Sequence, residues 1–197
     1  WTILILRELL GGAARFQDLR DGLPGIATNL LSDRLRRLEE DDIVRRIHTH
    51  NTVLYTLTSQ GADIRTALEA LGQWGARLDR VAPAVHERSI RAIAMALQSV
   101  LVRAGDVLPP ERFVVELEVD REFVEVILDQ KPTVTARLST APDARVRAST
   151  TGISAILLGQ AIDDSIFTHV TGDEVATRYL ISALRWTGLA SPSTEDR

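Results

Sequence analysis

Eleven polar residues near the start of the chain have types and spacing suited to nucleic acid. Thr28, Asn29, Ser32, Asp33, Arg36 and Arg37 fall within one short stretch, and Arg45, Arg46, His48, His50 and Asn51 follow closely. Asn can pair bidentately with adenine and Arg with guanine in a major groove, while further arginines and hydroxyls reach phosphates. The spacing gives these types a common face. Leu31, Leu35 and Leu38 recur at i, i+4 and i+7, the inward stripe of a helix. With that stripe inward, Asn29, Ser32, Asp33 and Arg36 point outward, flanked by Arg34 and Arg37. Each residue alone reads equally well as solvated surface; the ordered set points to DNA.

The elements that must position these residues follow from the surrounding pattern. Residues 2–10 read as a helix stopped by Gly11-Gly12. A short helix over 15–22 has Phe16 and Leu19 as its inward pair, and Pro24-Gly25 makes a turn. Thr28 is the expected N-cap of a helix running to about 41. Val44–His48 and Val53–Leu57 read as two strands around the polar tip Thr49–Thr52. Thr58 or Ser59 caps a helix to about residue 80, and another covers roughly 84–104. Helix, helix, turn, helix and hairpin make a winged helix-turn-helix layout, in which a helix fits the major groove and the hairpin reaches the neighbouring backbone.

The second half has a different texture. Phe113, Val115, Leu117 and Val119 alternate with Glu116, Glu118 and Asp120, the pattern of a half-buried antiparallel strand with a solvated acidic face. Residues 123–128, 133–138 and 144–149 supply further strands. Helices over 151–160 and 173–186 flank a strand at 167–171. The fold class expected is α+β: an N-terminal winged helix-turn-helix domain plus a C-terminal α/β sandwich with an antiparallel sheet. The expected division is a DNA-binding domain at 1–80, a helical connector at 81–108 and an α+β domain at 109–190.

Catalytic constellations are poorly represented. His48 and His50, two apart on a strand, would share a face, but no third ligand of matching context accompanies them. No Gly-rich phosphate loop and no nucleophile elbow is visible, so no enzyme, metal or cofactor is expected. The 197 residues are 45% hydrophobic and 25% charged, an ordinary globular balance, with no cysteine for thiol chemistry. The net charge of −4 averages two unequal parts. Residues 1–80 hold 11 Arg against 11 acids, so the whole deficit lies further on. No membrane span or signal peptide is read, and the expected location is the cytoplasm. The chain opens on Trp1 rather than Met, so a preceding segment is expected.

Several segments, in order and at matching spacing, resemble the HxlR family of bacterial transcription regulators. They are Trp1–Leu9 (WTILILREL), Arg15–Leu19 (RFQDL), Pro24–Glu39 (PGIATNLLSDRLRRLE) and Tyr55–Gly61 (YTLTSQG). The resemblance covers about residues 1–80. It implies that the helix over 29–41 is the recognition helix, that 44–57 is the wing, and that the protein is a homodimer on double-stranded DNA, a repressor by family habit. Family members carry a further segment before this Trp, often with a cysteine that some use to sense redox state or electrophiles. Ile64, Leu68, Leu71 and Leu78, with Trp74 beside them, form a stripe that the family would use as a dimer seam; packing within the chain is the alternative.

Residues 110–186 resemble the sterol-carrier-protein-like fold, through Glu116–Asp129, Ala141-Pro142-Asp143, Gly152–Gly159 and Phe167–Asp173. That fold implies an apolar tunnel, here lined by Ile153, Ile156, Leu157, Val175, Tyr179, Leu180 and Leu184 and holding an apolar small-molecule ligand. The alternative is that these seven simply fill the core. The rival reading of the whole chain is a lipid or hydrophobe carrier with a non-essential winged domain. An enzyme acting in the C-terminal pocket is a second rival.

Overall fold

The computed structural model describes residues 1–78, 89–157 and 164–185, with no account of the side chains of 73, 75–78 and 164. The chain divides into two compact units, residues 1–95 and 96–197.

In the first unit α1 (Thr2–Leu10), α2 (Phe16–Asp21) and α3 (Thr28–Glu40) precede the hairpin β1 (Val44–His48) and β2 (Val53–Leu57). Both strands have the bounds expected from the sequence. They pair antiparallel from Val44 opposite Leu57 to His48 opposite Val53. A third short edge, not read from the sequence, completes this sheet: Ala14 and Tyr55 exchange both backbone hydrogen bonds, at 2.9 and 2.7 Å. The core is built from Ile5, Leu9, Leu19, Leu23, Ile26 and the stripe Leu31, Leu35 and Leu38. Gly25 sits at φ +88, a left-handed turn position that favours glycine after Pro24.

Two helix ends differ from expectation. Thr28 does not cap α3; Ala27 is the N-cap and Thr28 is the first helical residue, with no side-chain cap bond. The single helix expected over 58–80 is two, α4 (Ser59–Ala62) and α5 (Arg65–Leu78). Thr58 does cap α4, accepting from Gly61 N at 3.0 Å, while its hydroxyl donates to Asp42 O at 2.7 Å. That pair of bonds fastens the end of the hairpin to the helix that follows.

Helix α6 (Ile90–Arg103) begins in the first unit, where Arg91 is buried against α1. Its Nε donates to Glu8 O at 3.0 Å and its Nη2 to Gly12 O. Burial pulls its guanidinium below the usual arginine range, opposed by the charges of Glu8 and Asp18. The Glu8 carboxylate is itself fully buried and accepts from Arg7 Nη2 at 2.8 Å and Ser89 Oγ at 2.5 Å. This contact needs glycine at position 11, where an added Cβ would lie 2.6 Å from Arg91 O.

The second unit is a five-stranded sheet in the order β5-β4-β3-β6-β7. Its strands are β3 (Phe113–Val119), β4 (Glu122–Leu128), β5 (Thr133–Thr135), β6 (Ala144–Ala148) and β7 (Phe167–Gly172), with α7 (Thr150–Leu157) and α8 (Glu174–Arg185). The sheet is mostly antiparallel rather than wholly so, because β3 and β6 run parallel. The strand expected over 133–138 ends at Thr135. Val115, Leu117, Val124, Val126 and Val146 on the inner face are buried, as are Ile153 and Ile156 of α7 and Leu180 and Leu184 of α8. Gln98 of α6 ties the edge strand in, its Nε2 donating to Pro132 O at 2.6 Å and its Oε1 accepting from Val134 N at 2.7 Å. Two aspartates explain recurring local motifs. Asp143 accepts from Val114 N at 2.7 Å, and Asp173 caps α8 by accepting from Val175 N at 2.7 Å.

The acidic face of β3 is solvated as expected at Asp120 and partly at Glu118, but not at Glu116. Glu116 and Glu125 stand opposite each other across β3 and β4, and both are buried. Like charges placed so repel. Each therefore has its own arginine: Arg145 Nε donates to Glu116 at 3.1 Å and Arg137 Nε to Glu125 at 2.9 Å. Ser139 N also donates to Glu116, at 3.2 Å, which brings the segment after β5 over this face.

Candidate nucleic-acid interface

Helix α3 has two faces because leucines occupy one. Leu31, Leu35 and Leu38 are buried in the unit's core, so the residues between them must face water. Thr28, Asn29, Ser32, Arg36 and Arg37 are exposed and Asp33 is partly so. On β1 the residues Arg45, Arg46 and His48 are exposed, and His50 and Asn51 lie in the exposed turn at the hairpin tip. All eleven expected residues thus lie on solvent-facing parts of α3 and the hairpin. His50 lies past the end of β1, so the shared strand face expected for His48 and His50 is not formed.

Electrostatics on this face are internal as well as outward. Asp33 Oδ1 accepts from Arg36 Nη2 at 2.6 Å, and its Oδ2 lies 3.1 Å from Arg37 Nε. Glu40 Oε1 accepts from Arg36 Nη1 at 2.9 Å. By accepting its hydrogen bonds, Asp33 and then Glu40 hold the Arg36 guanidinium above its ordinary value. Arg46 on the wing is pushed up in the same way by Glu39, whose Oε2 it reaches at 2.5 Å. Its guanidinium also lies 5.9 Å from the ring centre of Tyr55, its cross-strand neighbour. Glu39 and Glu40 were missed as members of this face. Their signal was the i, i+4 spacing from Arg36 to Glu40, which places two side chains side by side on a helix. Half-buried Arg34 has a buried Nε with no partner among the described residues.

The residues expected at a dimer seam separate. Leu68 is buried in its own unit's core, because α5 packs that side inward, and Ile64 is half-buried against the same core. Leu71 and Trp74 are 49% and 59% exposed. Leu78 ends α5, with its side chain outside the described residues.

The residues expected to line an apolar tunnel separate too. Ile153, Ile156, Leu180 and Leu184 are at most 1% exposed, and Leu157 and Tyr179 are half-buried, Tyr179 stacking on Phe113. Val175, in the first turn of α8, is 39% exposed and so belongs to the surface. A polar cleft of about 440 Å³ opens at the ends of β3 and β6, lined by Glu118, Asp120, Arg121, Arg147, Ser149 and Thr168 among others. None of the seven expected residues lines it.

Comparison with known proteins bears on the first unit. Residues 1–82 match the HxlR-like helix-turn-helix family. An HTH-type transcriptional regulator of Synechocystis is 41% identical over 78 residues, 38% of this chain and 58% of its own length. The HTH-type transcriptional regulator YodB of Bacillus subtilis is 32% identical over 77 residues, 38% of this chain and 69% of its own. The chain therefore spans little more than half of the first relative and about two thirds of the second. Among solved structures, the ubiquinone synthesis protein UbiJ-SCP2 aligns with a TM-score of 0.35 at 17% identity, over 48% of this chain and 91% of its own. On the match to its first 82 residues and on its identity to YodB, the chain belongs to the HxlR-like helix-turn-helix family.

Proposed function

We propose that this protein is a DNA-binding transcriptional regulator that acts as a homodimer and represses its target. In this reading α3 enters the major groove and the β1–β2 hairpin lies on the adjacent backbone. The observation that carries it is the two-faced α3: a leucine stripe anchored in the core, and Asn29, Ser32, Asp33, Arg36 and Arg37 outward beside a wing bearing Arg45 and Arg46. Dimerisation is supported by exposed apolar side chains at the two ends of this unit's sequence. Ile3 and Leu4 of α1 and Leu71 and Trp74 of α5 are all exposed, more apolar surface than a lone winged domain needs. Two half-sites about 34 Å apart are the operator such a dimer requires.

For the remainder we keep residues 109–190 as a sterol-carrier-like domain, joined through 81–108, that senses an apolar small molecule or serves as a dimer platform. Its support is the five-stranded sheet with α8 packed against β3, β4 and β6.

The test is binding of the purified chain to duplexes from its own upstream region, followed by fluorescence anisotropy from 50 to 200 mM salt. Affinity should fall steeply with salt, and footprints should show two protected half-sites. Equal affinity for every duplex, or binding that ignores salt, would overturn the reading.

A further inference from the structure

The outward face of α3 carries its own counter-charges, and Asp33 is their hub. It alone among the acids of this face engages two arginines, one oxygen on Arg36 at 2.6 Å and the other on Arg37 at 3.1 Å. Its side chain is 33% exposed, against 57% and 60% for those arginines, so the carboxylate lies lower on the helix than the guanidinium groups it holds. With Glu40 on Arg36 and Glu39 on Arg46, three carboxylates face three arginines, and among the described residues Arg45 of the wing has no acidic partner. Asp33 supports the helix only through these i, i+3 and i, i+4 pairs. It stands mid-helix, away from the N-cap Ala27, where aspartate is a poor helix former.

Building on the reading of α3 as the major-groove helix, we propose that Asp33 is the specificity-determining residue of this protein. Its carboxylate holds Arg36 and Arg37 away from the phosphate backbone and releases them only to a G·C pair.

The reasoning is one of donors and acceptors. A phosphate offers a guanidinium the same kind of acceptor that Asp33 already provides. Moving the arginines to phosphate leaves the carboxylate facing an anion with no donor in return. A G·C pair offers both halves of the exchange. Guanine O6 and N7 accept bidentately from arginine, and the cytosine N4 amino group donates to a carboxylate oxygen. The exchange is balanced only where base edges are read, which penalises backbone-only binding and favours the operator.

The experiment replaces Asp33 by asparagine in the full chain, which keeps size and removes charge. Binding is measured on a mixed-sequence duplex and on a site selected from a random library, across 50–200 mM salt. Asp33→Asn frees Arg37 outright and Arg36 from one of its two carboxylates, so the salt slope on mixed sequence should steepen by about 1–2. Non-specific affinity at low salt should rise about tenfold, and the ratio of specific to non-specific binding should fall by about the same factor or more. A selection repeated with Asp33→Asn should lose a G·C preference at one position of each half-site. Glu40→Gln, which frees Arg36 on one side only, should steepen the slope by about 1 at most. Glu111→Gln is the control for net charge, since Glu111 is exposed and without a partner among the described residues. It should leave the slope unchanged. The proposal is overturned if Asp33→Asn behaves as Glu111→Gln does, or if it weakens both kinds of binding equally. A wild-type chain that shows no salt-dependent duplex binding overturns the DNA reading itself. Normal wild-type discrimination with an unaltered Asp33→Asn variant overturns the role of Asp33 alone.

Discussion

Replacing Arg91 by methionine should unfasten α6 from α1. The guanidinium is buried and donates to two backbone carbonyls, Glu8 O at 3.0 Å and Gly12 O. A hydrogen bond with a charged donor is worth about 1.5–3 kcal/mol when its partner is left buried. The two losses are not equal. Glu8 O keeps a bond from Gly11 N at 3.2 Å, whereas Gly12 O has no other donor among the described residues. Against the loss stands relief of the desolvation that pulls the Arg91 guanidinium below its usual range, and the methionine stem refills much of the space. The Glu8 carboxylate is not stranded, because Arg7 and Ser89 still donate to it. Together these leave a net destabilisation of about 2–4 kcal/mol.

Amide hydrogen exchange measures this locally. Peptides covering Thr2–Leu10 should exchange about 30- to 700-fold faster where exchange proceeds through opening of the unit. Peptides from the sheet of the second unit should be unchanged. Arg91→Lys, whose single ammonium reaches one carbonyl, should lie between. A loss below about 1 kcal/mol would refute the reasoning, because the cost of burying the cation would then offset both of its bonds.

Three further outcomes follow from single contacts. Asp120 and Arg121 turn the β3–β4 hairpin at φ 48 and 73, a left-handed pair that suits glycine at the second position, so Arg121→Gly should raise the midpoint of urea unfolding, by about 0.5–1 kcal/mol in stability. Trp74→Glu should convert a dimer to a monomer in light scattering without loss of helical circular dichroism; a dimer that persists would remove α5 from the seam. Asp173→Ala removes the acceptor for Val175 N and Ala176 N at the start of α8 and should lower stability by about 1 kcal/mol, read from thermal unfolding.

Local features were legible because their causes are local. The Leu31, Leu35 and Leu38 stripe needs only the helical period, and the hairpin needs only alternation around a polar tip. What stayed hidden depends on neighbours distant in sequence. Alternation along Phe113–Val119 shows which side chains share a face, not that β6 runs parallel beside β3. Glu116 reads as surface because its burial comes from Ser139 and Arg145, 23 and 29 residues away. The helix expected over 84–104 says nothing of Arg91, whose burial depends on Gly11, 80 residues earlier, lacking a side chain. The break at Asp63–Ile64 was invisible for a related reason. Position 61 is buried, and an added Cβ there would lie 2.0 Å from Ile43 O, so that turn is set by packing against the hairpin.

Net charge was the weakest guide to the candidate interface, and the geometry says why. Residues 1–80 carry as many acids as arginines, which by count alone argues against a polyanion partner. The count treats paired and unpaired charges alike. On α3 the pairs are exposed, at i, i+3 and i, i+4, the class of ion pair that water and salt weaken most. Such a pair can be exchanged for another partner at small cost wherever the carboxylate also gains a donor in return. The pairs of the second unit differ in kind: their arginines are exposed but their carboxylates are buried, so Glu116 and Glu125 would lose their counter-charges inside the protein if Arg145 and Arg137 departed. The same count of charges therefore describes a surface able to trade its partners on α3 and a fixed structural network on the β3–β4 face. Exchangeability, not sum, decides which paired arginines a duplex can recruit, and in this chain it singles out Arg36 and Arg37 on α3, beside exposed Arg45 of the wing.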